Sequence, residues 1–89
     1  KEARMLTNDE LKQISADKVV DARGTACPGP LLEAKRAMAD VKVEEIMEVL
    51  SSDTGTRRDI PKWANKMGHD YLGCLEEAGF FRMFLKRMK

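Results

Sequence analysis

The sequence predicts an α/β (α+β) fold, a two-layer βαβαββ sandwich in which a four-stranded mixed sheet carries two helices on one face, plus a short N-terminal helix. Three observations predict it. Two brief β-prone segments each run into a stretch of helical periodicity. The last part of the chain holds two apolar runs divided by a glycine turn, the pattern of a β-hairpin. Finally, 89 residues suffice for one hydrophobic core. Right-handed crossovers put both helices on the same face of the sheet. The other face is then open or covered by a partner. Residues 1–17 are expected to be an extension with a short helix, and residues 18–89 the single domain.

The elements follow in order. Thr7 stands three residues before Glu10, so each can satisfy the other's backbone amide in a capping box, with Leu6 and Leu11 placed as a hydrophobic staple. A helix from about Asn8 to Ser15 is expected. Lys18 to Arg23 is short and β-branched and stops at Gly24, as a first core strand would. From Pro28 to about Met38, Leu31, Ala34 and Met38 recur at helical spacing while Glu33, Lys35 and Arg36 take the other face. Glu45 to Ser51 reads as the second strand, with too little alternation to fix its buried face. Ile60, Trp63, Ala64 and Met67 then mark a second amphipathic helix ending at Gly68. Pro61 would cost that helix an interior hydrogen bond if it began at Arg57, so a start with Asp59 as cap is expected. Tyr71 to Glu76 and Phe80 to Met88 form the hairpin. Phe81, Met83 and Leu85 face one way, and Arg82, Phe84 and Lys86 the other.

Charge excludes some functions. Sixteen basic residues against 15 acidic leave a formal charge of +1, with no global field to gather nucleic acid or anionic membrane. No apolar run has the length of a membrane span, and no signal-peptide core follows the charges of Lys-Glu-Ala-Arg-Met. A cytoplasmic, monomeric protein is expected. Cys27 and Cys74 are too few for a disulfide framework, and with the single His69 they do not make a zinc site. No metal or organic cofactor is expected.

The chemistry points to Cys27, in Gly24-Thr25-Ala26-Cys27-Pro28-Gly29-Pro30. Proline is tolerated in the first turn of a helix, so Pro28 and Pro30 place Cys27 at or beside the N-cap. There the first-turn amides, such as those of Gly29 and Leu31, and the helix dipole stabilise a thiolate. Gly29 adds no side chain to crowd the sulfur, and Gly24 frames the loop. Cys74, inside an apolar strand, reads instead as a small core residue. Trp63 reads as core and the methionines as gap-fillers. His69 is too distant in sequence to be expected as a base for Cys27. Arg23, Arg57 and Arg58 are placed in loops and read either as contacts for a sulfur anion or an acidic partner, or as solvated charges.

At these residues the chain resembles the TusA/SirA-like sulfur carrier proteins. Cys27-Pro28-Gly29-Pro30 matches their Cys-Pro-x-Pro motif, with Asp21-Ala22-Arg23-Gly24 before it and Leu31-Leu32 after. Asp53, Arg58-Asp59-Ile60 and Trp63 also fall where that family has similar residues, so the resemblance runs from about Val19 to Met88. Thr54 stands where members often have proline, which touches only the local turn. The resemblance implies the same βαβαββ sandwich and a sulfurtransferase-like role. Cys27 would carry sulfane sulfur as a persulfide between a donor, of cysteine desulfurase or rhodanese type, and an acceptor protein. Transfer for tRNA thiolation, molybdenum cofactor assembly or sulfur oxidation would use the same carrier. Two rival classes come from the residues themselves. Cys27 and Cys74 could form a redox pair, though without Cys-x-x-Cys spacing. Alternatively, Arg82, Lys86, Arg87 and Lys89 beside Phe84 could bind RNA across an open sheet face, although direct nucleic-acid binding is not expected from so short a basic edge.

Overall fold

The computed structural model describes residues 6–26 and 28–89; Cys27 lies outside them. The elements are α1 (Asn8–Lys12), β1 (Lys18–Asp21), α2 (Gly29–Met38), β2 (Ile46–Ser51), α3 (Thr56–Met67), β3 (Asp70–Glu77) and β4 (Phe80–Lys86). The sheet order is β1-β2-β4-β3. β1 pairs parallel with β2, Val20 opposite Val49, while β4 lies antiparallel between β2 and β3. This is the mixed four-stranded sheet that the element order predicts.

The main core lies between the sheet and the two long helices. Met47 and Val49 of β2, with Met83 and Leu85 of β4, are fully buried against Ala34, Met38, Ile60 and Ala64. The face of β2 that the sequence left open is thereby fixed. Its opposite face carries Glu48, buried and held by Arg82 at 2.6 Å. Burying a carboxylate is costly unless it is paired and hydrogen-bonded, and the Arg82 guanidinium, 5.5 Å above the Phe84 ring, supplies that partner.

The second face of the sheet is not left bare. The capping box forms as the sequence predicts: the Thr7 amide donates to Glu10 Oε1 at 2.8 Å, and the Glu10 amide to Thr7 Oγ1 at 3.3 Å. The Leu6 amide donates to the Leu72 carbonyl at 2.8 Å, which ties α1 to β3. Leu11 is then buried against Phe84 and Leu75, with Leu6, Ile14, Ile46 and Leu72 around them. Phe84, predicted on an outer face, therefore has no exposure and offers no ring for stacking bases. α1 ends at Lys12, earlier than the expected Ser15, because the chain is drawn to β2. The Asp17 amide donates to the Ile46 carbonyl and the Ile46 amide to Asp17 Oδ2.

Two further expectations need correction. The helix bearing Trp63 begins at Thr56, and Pro61 lies inside it. The Thr56 hydroxyl explains the early start: it accepts from Ser51 Oγ at 3.1 Å and donates to Asp53 Oδ2 at 3.2 Å, with Ser51 and Thr56 both buried. Thr56, Ile60 and Ala64 then bury one face of the helix, which offsets the single bond Pro61 cannot make to the Arg57 carbonyl. Arg57 and Arg58 are consequently helical, not loop residues. In β3 the register shifts between Tyr71 and Gly73. This irregularity lets Tyr71 and Cys74, three residues apart, both join the helix-side core. Gly73 (φ +146°) lies where a Cβ would come within 2.9 Å of Leu11 Cδ1, so only glycine lets α1 settle there.

Candidate functional site

β1 and β2 finish at the same end of the sheet, and four pieces of chain meet there. The loop after β1 is pinned to β2 by the Ala22 amide, which donates to the Leu50 carbonyl at 2.8 Å. It is pinned to the β2–α3 loop by the Gly24 amide, which donates to Ser52 Oγ at 2.9 Å. Gly24 has φ +83°, a conformation in which other residues are strained. Gly24, Thr25 and Ala26 line a shallow depression of about 210 Å³ with Ser52 and Asp53. The floor of that second loop is rigid: the Asp53 amide donates to Ser51 Oγ, completing the hydroxyl network below it.

Position 27 falls between two fixed anchors. The Gly29 amide donates to the Ala26 carbonyl at 2.8 Å, and the Leu32 amide to the Pro28 carbonyl at 2.9 Å. Pro28 is the N-cap of α2 and Pro30 sits in its first turn. Cys27 is expected at or beside the N-cap and itself lies outside the described residues; Pro28 holds the cap, and the Gly29 amide expected to face a thiolate is already committed to the Ala26 carbonyl. Gly29 is favoured for a reason the sequence did not supply. A Cβ there would run into the Thr25 methyl group, so the motif glycine and Thr25 pack as one steric unit. The first turn of α2 holds no acidic residue, which leaves the positive end of its dipole uncompensated by side chains.

The predicted arginines separate. Arg23 is locked onto Asp21 by two side-chain hydrogen bonds, Nε to Oδ1 at 2.9 Å and Nη2 to Oδ2 at 2.7 Å, and its guanidinium lies 4.9 Å over the Phe80 ring. Those Arg23 hydrogen bonds draw the Asp21 carboxyl down to about 2. Arg57 lies 5.0 Å over the Phe81 ring and pairs with Glu76 at 3.0 Å. Since Phe80 faces Glu77 and Phe81 faces Ser51 across the ladders, both arginines stand at the loop end of the sheet. Arg58 is exposed in the first turn of α3 and joins neither ring. Phe80 and Phe81 are the residues that sequence reasoning missed. Their role depends on strand pairing, although two adjacent aromatics directly after a hairpin glycine were a visible cue.

Cys74 is half-buried against the helix-side core, and burial is the main influence pushing its thiol up, opposed in part by Arg57. Tyr71 beside it is pushed up as well, again chiefly by burial. His69 lies at the opposite end of the sheet, after α3, with Trp63 half-buried next to it. Of the four basic residues weighed for RNA, Arg82 is bound to Glu48 and Glu77 and Arg87 donates to the backbone carbonyls of Met38 and Val41, while Lys86 is half-buried and Lys89 exposed. No described helix is long and apolar enough to cross a membrane.

Known proteins share this arrangement. The family model described as "Sulfurtransferase TusA" matches residues 18–87. A putative sulfur carrier protein of Archaeoglobus fulgidus is 45% identical over 71 residues, covering 80% of this chain and 97% of the relative. A sulfur carrier protein TusA of Pseudomonas putida is 32% identical over 77 residues, covering 86% of this chain and 96% of the relative. The crystal structure of a SirA-like protein from Desulfitobacterium hafniense superposes with a TM-score of 0.71 at 26% identity, covering 81% of this chain and 99% of that one. The family match begins at Lys18 and takes in both loops, the two long helices and the whole sheet, and it makes this chain a member of the TusA family.

Proposed function

We propose that this protein is a sulfur carrier that holds sulfane sulfur as a persulfide on Cys27 and passes it from a donor protein to an acceptor protein. The observation that carries the reading is the frame around position 27. The loop leading up to Ala26 is pinned to two neighbouring elements and α2 is capped by Pro28; in sequence Cys27 stands between them, next to a helix N-terminus whose dipole favours an anion. The sulfur-carrier names of the relatives support the same role.

The chemistry balances without an external oxidant or reductant. In loading, the Cys27 thiolate attacks the terminal sulfur of a donor persulfide; a new S–S bond forms, the donor's S–S bond breaks, and the donor leaves as a thiolate. In unloading, an acceptor thiolate attacks that same terminal sulfur and Cys27 departs as the thiolate. One group must therefore be a nucleophile first and a leaving group afterwards, and stabilising its anion assists the departure. Arg23 and Arg57 offer two positioned cations for an acidic donor or acceptor surface. Cys74 is poorly suited to act as a resolving thiol, because burial holds it in the thiol form.

The test is mass spectrometry of the purified protein after incubation with a persulfide donor. One added sulfur atom is expected in wild type and in Cys74→Ser, and none in Cys27→Ser. Equal uptake by Cys27→Ser, or no uptake by wild type, would overturn the reading.

A further inference from the structure

The far end of the molecule holds a recess that the sulfur chemistry does not use. Lys35 and Met38 reach it from the last turn of α2, and Trp63, Lys66 and Met67 from the last turn of α3. His69, Arg87 and Lys89 close the third side of a cleft of about 590 Å³, within the size range of small-molecule sites. α2 spans 10 residues, so the cleft lies about 15 Å from the Pro28 end of that helix.

Its charge is one-sided. Among the described residues, no aspartate or glutamate lines the cleft; its ionisable side chains are Lys35, Lys66, Arg87, Lys89 and His69, and Arg87 Nε donates to the Lys89 main-chain oxygen at 2.6 Å. Helix termini account for part of this. Arg87 Nη1 donates to the Met38 and Val41 carbonyls at 3.0 and 2.5 Å, completing the end of α2. The Lys89 side chain lies over Gly68, the C-cap of α3, where a Cβ would come within 2.9 Å of its Cε. Lys35 and Lys66 have no such task, and neither is ion-paired among the described residues, whereas Arg36, one residue along from Lys35, is paired with Glu33. A chain with almost equal numbers of acids and bases thus gathers basic side chains in one concavity, with Lys35 and Lys66 facing no carboxylate side chain there.

The remaining lining is apolar with one neutral donor. Met67 is 50% exposed and Trp63 half-buried, which is an unusual amount of large apolar surface for the end of a charged helix. His69 Nδ1 accepts the Met88 amide at 3.1 Å, so the neutral ring carries its proton on Nε2. No buried side-chain nitrogen or oxygen of the described residues lacks a partner. His69 lines the cleft, and Nε2–H is the donor its ring can offer there. Burial, with Arg87 and Lys89 nearby, lowers the ring's pKa and keeps it neutral.

We propose that this cleft binds a small amphipathic organic anion, its apolar body on Trp63, Met38 and Met67, its carboxylate, sulfonate or phosphate facing Lys35, Lys66 and His69. The two probes are 8-anilinonaphthalene-1-sulfonate and the same ring system without its charge, N-phenyl-1-naphthylamine, titrated into the full chain. Trp63 is the single tryptophan, so sulfonate emission excited through tryptophan reports occupancy beside it. Saturable binding is expected, with amide shifts confined to residues 35–39, 63–69 and 87–89. Lys35→Glu with Lys66→Glu should weaken the sulfonate tenfold or more and leave the neutral probe unchanged. Both lysines are exposed, and unchanged circular dichroism and Cys27 sulfur uptake would show that the variant is folded. The proposal is overturned by equal sulfonate affinity in the double variant, by shifts centred on Phe80 and Phe81, or by a cleft that ignores the sulfonate and binds only an acidic peptide.

Discussion

Replacing Gly29 by alanine tests the steric unit at the heart of the motif. The added methyl would meet the Thr25 methyl far inside contact distance, and would also stand 3.4 Å from Thr25 Cβ, close to the roughly 3.5–4.0 Å of relaxed carbon neighbours. The Cβ distance is ordinary contact, so the clash rests on the Thr25 methyl alone. Overpacking of this kind costs about 1–3 kcal/mol. Alanine returns at most about 1 kcal/mol as a better helix former than glycine, and Gly29 does not have a positive φ, so no backbone strain enters. The single variant is therefore expected to lose up to about 2 kcal/mol, or at most roughly 16 °C in Tm for a domain this small, and to take up sulfur more slowly because the Ala26 to Pro28 frame shifts. Thr25→Ser deletes only the obstructing methyl. In that background Gly29→Ala should be neutral or stabilising, with uptake restored. The assay is a double-mutant cycle read by urea denaturation and by the rate of sulfur uptake in mass spectrometry. If Gly29→Ala has the same effect in both backgrounds, the two residues are not coupled and the steric reasoning is wrong.

Three further outcomes follow from the packing. Leu11→Ala removes a buried side chain that holds α1 on the sheet and should cost about 2–4 kcal/mol in chemical denaturation; a loss under about 0.5 kcal/mol would mean that α1 contributes little to the fold. Thr56→Val leaves Ser51 Oγ and Asp53 without their shared partner and should cost about 1–3 kcal/mol, whereas an equally stable variant would show that the buried hydroxyls are not needed. His69 has its pKa lowered in the folded state by burial and by Arg87 and Lys89. Below its ordinary value of 6.5 the unfolded chain takes up the proton first, so stability should decline as pH falls from about 7 towards 5. That slope should be absent in His69→Gln, and an identical slope in the variant would remove His69 as its cause.

The layers of the fold were legible because periodicity reports burial directly: Ala34 with Met38, and Ile60 with Ala64, sit on the buried faces that their spacing indicates. The capping box of Thr7 and Glu10 was legible for a similar reason, since all its partners are local. What escaped the sequence depends on pairs distant along the chain. Pro61 argued for a late helix start, but hydroxyl bonds from Thr56 to Ser51 and Asp53 outweigh its lost bond. The burial of Phe84 requires knowing that α1 folds back beneath β4 and β3. At the site, the Cys27 motif was readable as a string, but the anchoring of its loop through Gly24 to Ser52 spans 28 positions. The aromatic seats of Arg23 and Arg57 were hidden because strand pairing creates them.

Those seats have a consequence for how the protein meets its partners. A free arginine at a surface samples many rotamers and must surrender them when it engages an acidic group, at about 0.5–1.5 kcal/mol for each immobilised side chain. Arg23, held between Asp21 and Phe80, and Arg57, held between Glu76 and Phe81, have already lost that freedom in the unbound protein. An incoming acidic surface meets charges that are already ordered but half-neutralised by their own carboxylates. On the proposed carrier reading, this combination favours quick, reversible encounters over tight ones.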